Sequence, residues 1–225
     1  MPTGEFEQMT MSDGAAIGVY RVRPEGERRG GMVLVQEIFG VSEHIRDMCD
    51  EWAEEGYEVL SPSLFDREEP GFVAGYTGDD LQRAMTTVRA HPLETSLKDV
   101  QTCIDALKEQ GPVFVLGYCY GGSIAWLAAT RMSGVAATAG YYGGMVPNTA
   151  DEEPKVPVAL HFGRFDSSIP MEGVEKVIAK DWPKADVYVY EAKHGFNSDR
   201  RKDYHEPSSE LAKERSLALF RANGG

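Results

Sequence analysis

Positive charge is scarce in this chain of 225 residues: 23 Lys and Arg stand against 36 Asp and Glu, a formal net charge of −13. A nucleic-acid partner, which needs a basic footprint, is therefore not expected. Cysteine is scarcer. Cys49, Cys103 and Cys119 form no CxxC pair and leave an odd thiol, which argues against a disulfide framework. Long apolar runs are missing too. No segment approaches the roughly 18 residues of a membrane span, and Met1-Pro2-Thr3-Gly4-Glu5-Phe6-Glu7 lacks the basic and apolar regions of a signal peptide. The reducing cytoplasm is the expected address, with no membrane partner. Repeats and low-complexity linkers are absent, so one domain over residues 1–225 is the economical reading, as a monomer or weak homodimer.

What is present is an alternation of strand and helix signals. Alternating stretches around Phe6-Thr10 and Ala15-Tyr20 flank Ser12-Asp13-Gly14 as a hairpin should. Gly31 to Gln36 is a continuous apolar run, the mark of a strand buried on both faces. Ser42 opens a helix that ends near Gly56. Tyr57-Leu60 is the next strand, stopped by Ser61-Pro62. Residues 63–79 read as a surface loop near a site. Helices follow at about 80–90, 95–110, 171–180 and 207–222, with strands at Val113-Leu116, Val135-Tyr141, Val158-Phe162 and Val187-Tyr190. The pattern predicts an α/β fold: a mainly parallel sheet with helices on both faces, a three-layer sandwich. In such a fold, ligands bind beyond the carboxyl ends of the strands.

Gly117-Tyr118-Cys119-Tyr120-Gly121-Gly122 lies at such an end. It follows the apolar run Val113-Leu116 and precedes a helix from Ser123 to about Arg131. Glycines two residues before and after Cys119 permit the strained strand-to-helix turn that presents a nucleophile. A thiol attacks as thiolate and needs a base beside it. In this order of elements the acid and then the histidine come from later strand ends. Val158 to Phe162 runs into a turn carrying Asp166, and Val187 to Tyr190 into one carrying His194. Taken singly, Asp166 is a turn or cap carboxylate and His194 a loop histidine. Together, in order, they predict a catalytic triad. His161 lies within a strand, His91 and His205 border helices, and His44 opens a helix, where it can line a pocket but not serve as the base. Glu37 ends a buried strand, where a charge is costly unless paired. Facing the elbow, it could take the thiol proton. The N–H groups of Ile38 and Tyr120 are the expected oxyanion donors.

These residues resemble the dienelactone hydrolase (carboxymethylenebutenolidase) family of α/β-hydrolases. The resemblance rests on Gln36-Glu37-Ile38-Phe39-Gly40, Gly117 to Gly122, Gly163-Arg164-Phe165-Asp166 and His194-Gly195-Phe196. It implies a Cys119–His194–Asp166 triad with Glu37 as fourth member, the thiol resting against the glutamate until substrate binds. The implied reaction opens a small-molecule enol-lactone or related ester through an acyl-thioester, with no metal or organic cofactor. One departure stands out. The best-known members follow the histidine with a Ser and, a few residues later, an Arg, both of which bind the substrate carboxylate. Here the stretch is His194-Gly195-Phe196-Asn197-Ser198, which resembles another branch of the family. Arg83, Arg201, Tyr204, Tyr142 and Phe39 are the remaining candidates for substrate binding, and Arg200, Arg201 and Lys202 for restoring positive charge.

Three rival readings remain: a general carboxylesterase or thioesterase, a ligand-binding protein on the same fold, and a thiol redox protein. The redox reading lacks a resolving cysteine near Cys119 in the sequence.

Overall fold

The computed structural model describes residues 3–225; Met1 and Pro2, part of the stretch read for a leader, lie outside them. The chain begins with an antiparallel hairpin, β1 (Glu5–Thr10) and β2 (Ala16–Val22). It continues through β3 (Gly30–Val35), α1 (Glu43–Glu54), β4 (Tyr57–Pro62), α2 (Gly78–Ala90), α3 (Leu93–Leu107) and β5 (Val113–Tyr118). It ends with α4 (Tyr120–Arg131), β6 (Ala137–Tyr141), β7 (Val158–Gly163), α5 (Met171–Ile178), β8 (Ala185–Tyr190) and α6 (Glu206–Ala222). Among the described residues the strands form one sheet in the order β1-β2-β4-β3-β5-β6-β7-β8. The hairpin joins antiparallel through β2 and β4, and every pairing from β4 to β8 is parallel.

The continuous apolar runs explain the layering. β3, β4, β5 and β7 are buried along their whole length, which requires cover on both faces. On one side α1 and α6 meet, with the Trp52 and Phe220 rings 5.6 Å apart and Phe220 4.8 Å from Phe114 of β5. α3 and α4 pack together in the other helical layer. The result is the three-layer α/β-hydrolase fold. Cys49 and Cys103 are fully buried, and burial pushes both thiols well above the ordinary range.

Several elements differ from expectation. β4 runs on through Ser61-Pro62, with Pro62 opposite Val19 in the antiparallel pair; a proline at a strand's end interrupts little of the ladder. β6 begins at Ala137, two residues later than the apolar pattern suggests. Residues 63–79 do not form a simple surface loop. Leu64, Phe65, Phe72 and Ala74 are buried, and the Ala74 N–H donates to the Phe39 carbonyl at 3.1 Å. This segment is a packed cover laid over the Gln36–Gly40 turn.

Candidate active site

At the end of β5 the chain passes from strand to helix within one residue. Cys119 has φ 55° and ψ −109°, a strained conformation for a side chain with a Cβ. The flanking glycines show why the turn needs them. A Cβ at Gly117 would lie 2.1 Å from the Gly121 carbonyl oxygen, and one at Gly121 2.1 Å from the Val35 carbonyl oxygen. The elbow is held by Cys119 N–H to Tyr141 O (2.9 Å) and Gly121 N–H to Gln36 O (3.0 Å). Tyr120 is the first residue of α4, so its N–H has no acceptor within the helix.

The turn after β7 brings Asp166 to the elbow, and the turn after β8 brings His194. His194 Nε2 lies 3.2 Å from Cys119 Sγ, and His194 Nδ1 donates to Asp166 Oδ2 at 2.7 Å. Asp166 is buried, and its other oxygen accepts from the Ser168 and Ile169 N–H groups at 2.8 and 3.2 Å. The carboxylate is thus fixed by its own turn before it meets the imidazole. Burial acts to lower the His194 pKa. The Cys119 charge and the hydrogen bonds to Asp166 and Cys119 outweigh it and lift the imidazole to about 10.

Glu37 does not point into water. It is wholly buried, and neither carboxylate oxygen has a hydrogen-bond partner. The thiol therefore rests against His194, whereas the resemblance implied that it rests against the glutamate. The nearest counter-charge is Arg201 Nη1, 3.7 Å from Glu37 Oε1. Burial raises the Glu37 pKa, with the Arg201 and His194 charges and the nearby Tyr76 hydroxyl opposing.

Above the triad is a cavity of about 470 Å³. Its walls are largely apolar, from Ile38, Phe39, Leu81, Met85, Val88 and Ile169, and Arg201 is the one Arg or Lys among the described residues that line it. Phe39 and Arg201 are therefore where the sequence placed them. The other three substrate-binding candidates are not. Arg83 lies on α2 but outside the cavity, bound to Glu69 Oε1 at 2.8 Å and the Val73 carbonyl at 2.6 Å. Tyr204 borders a separate acidic cavity with Asp47, Asp199 and Glu210. Tyr142 is fully buried, with its ring centroid 5.1 Å from that of His194, and so backs the imidazole rather than lining the cavity. Of the basic triplet, Arg200 turns outward to Asp47 at 2.7 Å.

The other histidines have separate settings. His161 is buried between Tyr190 Oη (2.8 Å) and Ser216 Oγ (3.0 Å), and burial pushes it down to about 3. His44 is buried outside the cavity, pushed down to about 4 by burial, with no hydrogen bond at either nitrogen. His205 pairs with Ser208 Oγ at 2.7 Å. His91 carries a polar chain to Glu68 and Ser96 that leaves no mark in the sequence.

A strand-to-helix elbow with a thiol at its apex, joined to His and Asp from later strand ends, defines a hydrolase of the α/β type. Comparison with known proteins narrows this. A sequence model of the Dienelactone hydrolase family matches residues 17–224, and the chain belongs to that family. A Salmonella typhimurium protein named "Putative carboxymethylenebutenolidase" is 33% identical over 240 residues, covering 95% of this chain and 86% of its own. A Synechocystis protein of the same name is 30% identical over 231 residues, covering 93% and 89%. The crystal structure of a "Putative Dienelactone Hydrolase" from Klebsiella pneumoniae superposes with a TM-score of 0.85 at 29% identity, over 98% of this chain and 99% of that one. The protein is thus a hydrolase acting on ester or lactone bonds. Among the described residues no helix is long and apolar enough to cross a membrane.

Proposed function

We propose that this chain hydrolyses an enol-lactone or related carboxylic ester through an acyl-enzyme on Cys119. The observation that carries the reading is the hydrogen-bonded line Cys119–His194–Asp166 at the base of the cavity. With its pKa lifted to about 10, His194 can hold the proton while Cys119 attacks as the thiolate. The thiolate attacks the carbonyl carbon, forming the C–S bond, and the oxyanion is received by the Ile38 and Tyr120 N–H groups. As the tetrahedral intermediate collapses, the C–O bond to the leaving oxygen breaks and His194 Nε2 gives that oxygen its proton. In a lactone the leaving oxygen stays on the acyl chain. Water then attacks the thioester with His194 as base, the C–S bond breaks, and the carboxylate product leaves. Asp166 orients the imidazole and stabilises its charge. Arg201 meets the carboxylate of an anionic substrate. Glu37, released from its counter-charge, is then available as a second proton acceptor at the site.

The apolar walls support a second reading of the substrate, a neutral carboxylic ester with no lactone preference. Comparing kcat/KM for a dienelactone and a neutral aryl ester separates the two. The mechanism is tested by Cys119→Ala and His194→Ala. Both are expected to fold and to lose at least about a thousandfold in kcat, whereas full activity in Cys119→Ala would remove Cys119 from the chemistry.

A further inference from the structure

Beside the thiol–imidazole–carboxylate line runs a hydroxyl–imidazole–carboxylate chain, largely within the protein and meeting the cavity only at Tyr120. His91 Nδ1 is 2.9 Å from Glu68 Oε1, His91 Nε2 is 2.9 Å from Ser96 Oγ, and Ser96 Oγ is 2.9 Å from Tyr120 Oη. His91 and Ser96 are buried. Phe65 closes the chain on one side, with its ring centroid 5.2 Å from that of His91 and 5.9 Å from that of Tyr120. The four members come from four places: the cover over the site, the α2–α3 connection, the first turn of α3, and the first residue of α4.

The directions of these bonds follow from what each group can donate. A carboxylate only accepts, so His91 Nδ1–H donates to Glu68. With that tautomer fixed, His91 Nε2 meets the Ser96 hydroxyl, which in turn meets the Tyr120 phenol. Ser96 itself is too buried to act as a nucleophile, so the arrangement cannot be a second catalytic triad.

What sets it apart from an ordinary buried network is the residue on which it ends. Tyr120 follows the strained Cys119, its ring lines the cavity, and its backbone N–H is the oxyanion donor of the mechanism above. An N–H contributes to a developing oxyanion only if held at the correct angle, and an error of a fraction of an ångström is costly. We infer that Glu68, His91 and Ser96 are positioning residues: they fasten the Tyr120 phenol and thereby fix the oxyanion-hole N–H at the head of α4. The inference rests on the proposed cysteine mechanism and adds to it a part of the molecule outside the triad.

Tyr120→Phe removes one oxygen and leaves the ring in the cavity wall. Ser96 keeps His91 as a partner in that variant, which favours folding. Two rates separate positioning from general disturbance. Ester hydrolysis uses the oxyanion hole, whereas alkylation of Cys119 by iodoacetamide uses the thiolate but forms no oxyanion. Tyr120→Phe is expected to lower kcat and kcat/KM together by about tenfold, with the alkylation rate unchanged. Ser96→Ala should lower hydrolysis similarly, and the double variant should lose little more than either single one. Unchanged hydrolysis in Tyr120→Phe would overturn the inference. So would equal losses in hydrolysis and alkylation, which would mark a disturbed elbow. Should alkylation of Cys119 leave the wild-type enzyme active, the cysteine mechanism itself falls, and this inference with it.

Discussion

Gly195 and Arg201 are fitted to one another: a Cβ at position 195 would lie 2.7 Å from the Arg201 guanidinium. Gly195 has φ +73°, a conformation that favours glycine. From it the chain folds back through two short turns, Ser198 N–H to Gly195 O (3.1 Å) and Arg201 N–H to Ser198 O (3.0 Å). The absence of a side chain directly after the catalytic histidine is what lets Arg201 reach the cavity and Glu37. The positive charge that an acidic chain must supply for an anionic substrate is therefore delivered from a turn, seven positions beyond His194.

This pairing makes Glu37 a group kept at a cost. Its carboxylate is fully buried without a hydrogen bond, and burial raises its pKa. A raised pKa means that the folded state is favoured when the group is protonated, so its contribution to stability is present at low pH and lost as pH rises through the folded pKa. Glu37→Gln removes the charge while keeping the shape, and Arg201, partly exposed, can turn to water. The variant should be more stable than wild type at pH 7, with a smaller gain at acid pH. Its kcat should fall by at least about tenfold. Denaturant unfolding at two pH values, beside steady-state kinetics, checks both. A destabilised variant would contradict this account of the buried charge.

The histidine gives a pH dependence of opposite origin. His194 is lifted to about 10 by Cys119 and Asp166 against the effect of burial. It is protonated throughout the neutral range and loses its proton as pH rises through about 10, whereas an unperturbed imidazole would do so near 6.5. The proton that reaches the leaving oxygen is thus available well into the alkaline range. The alkaline limb of kcat/KM should fall near pH 10 and move to lower pH in Asp166→Asn, which weakens the hold on the imidazolium. A wild-type limb near 6.5 would contradict the assignment.

Much of this site is legible in the sequence, because steric necessity leaves marks there. Gly117 and Gly121 stand where a Cβ would collide with backbone, and Asp166 and His194 stand at strand ends in the order that the topology requires. Arg83 shows where such reading stops. The helical pattern of α2 gives Leu81, Met85 and Val88 to the cavity, but the pull of Glu69 and the Val73 carbonyl on Arg83 depends on how residues 63–79 fold. Tyr204 was misplaced for a similar reason, since the turns after Gly195 carry it past the cavity to the face bordered by Asp47 and Glu210. The chain from Glu68 to Tyr120 left no motif at all. Its four residues are joined only by tertiary packing, with no fixed spacing to betray them.

The central claim is that the reaction passes through Cys119. Rapid quenching during turnover of an activated ester, followed by digestion and mass spectrometry, reads this directly. The account predicts an acyl adduct on the peptide carrying Cys119, formed before steady state and absent in Cys119→Ala. Turnover without any adduct, or with the acyl group on another residue such as the neighbouring Ser123, would contradict it.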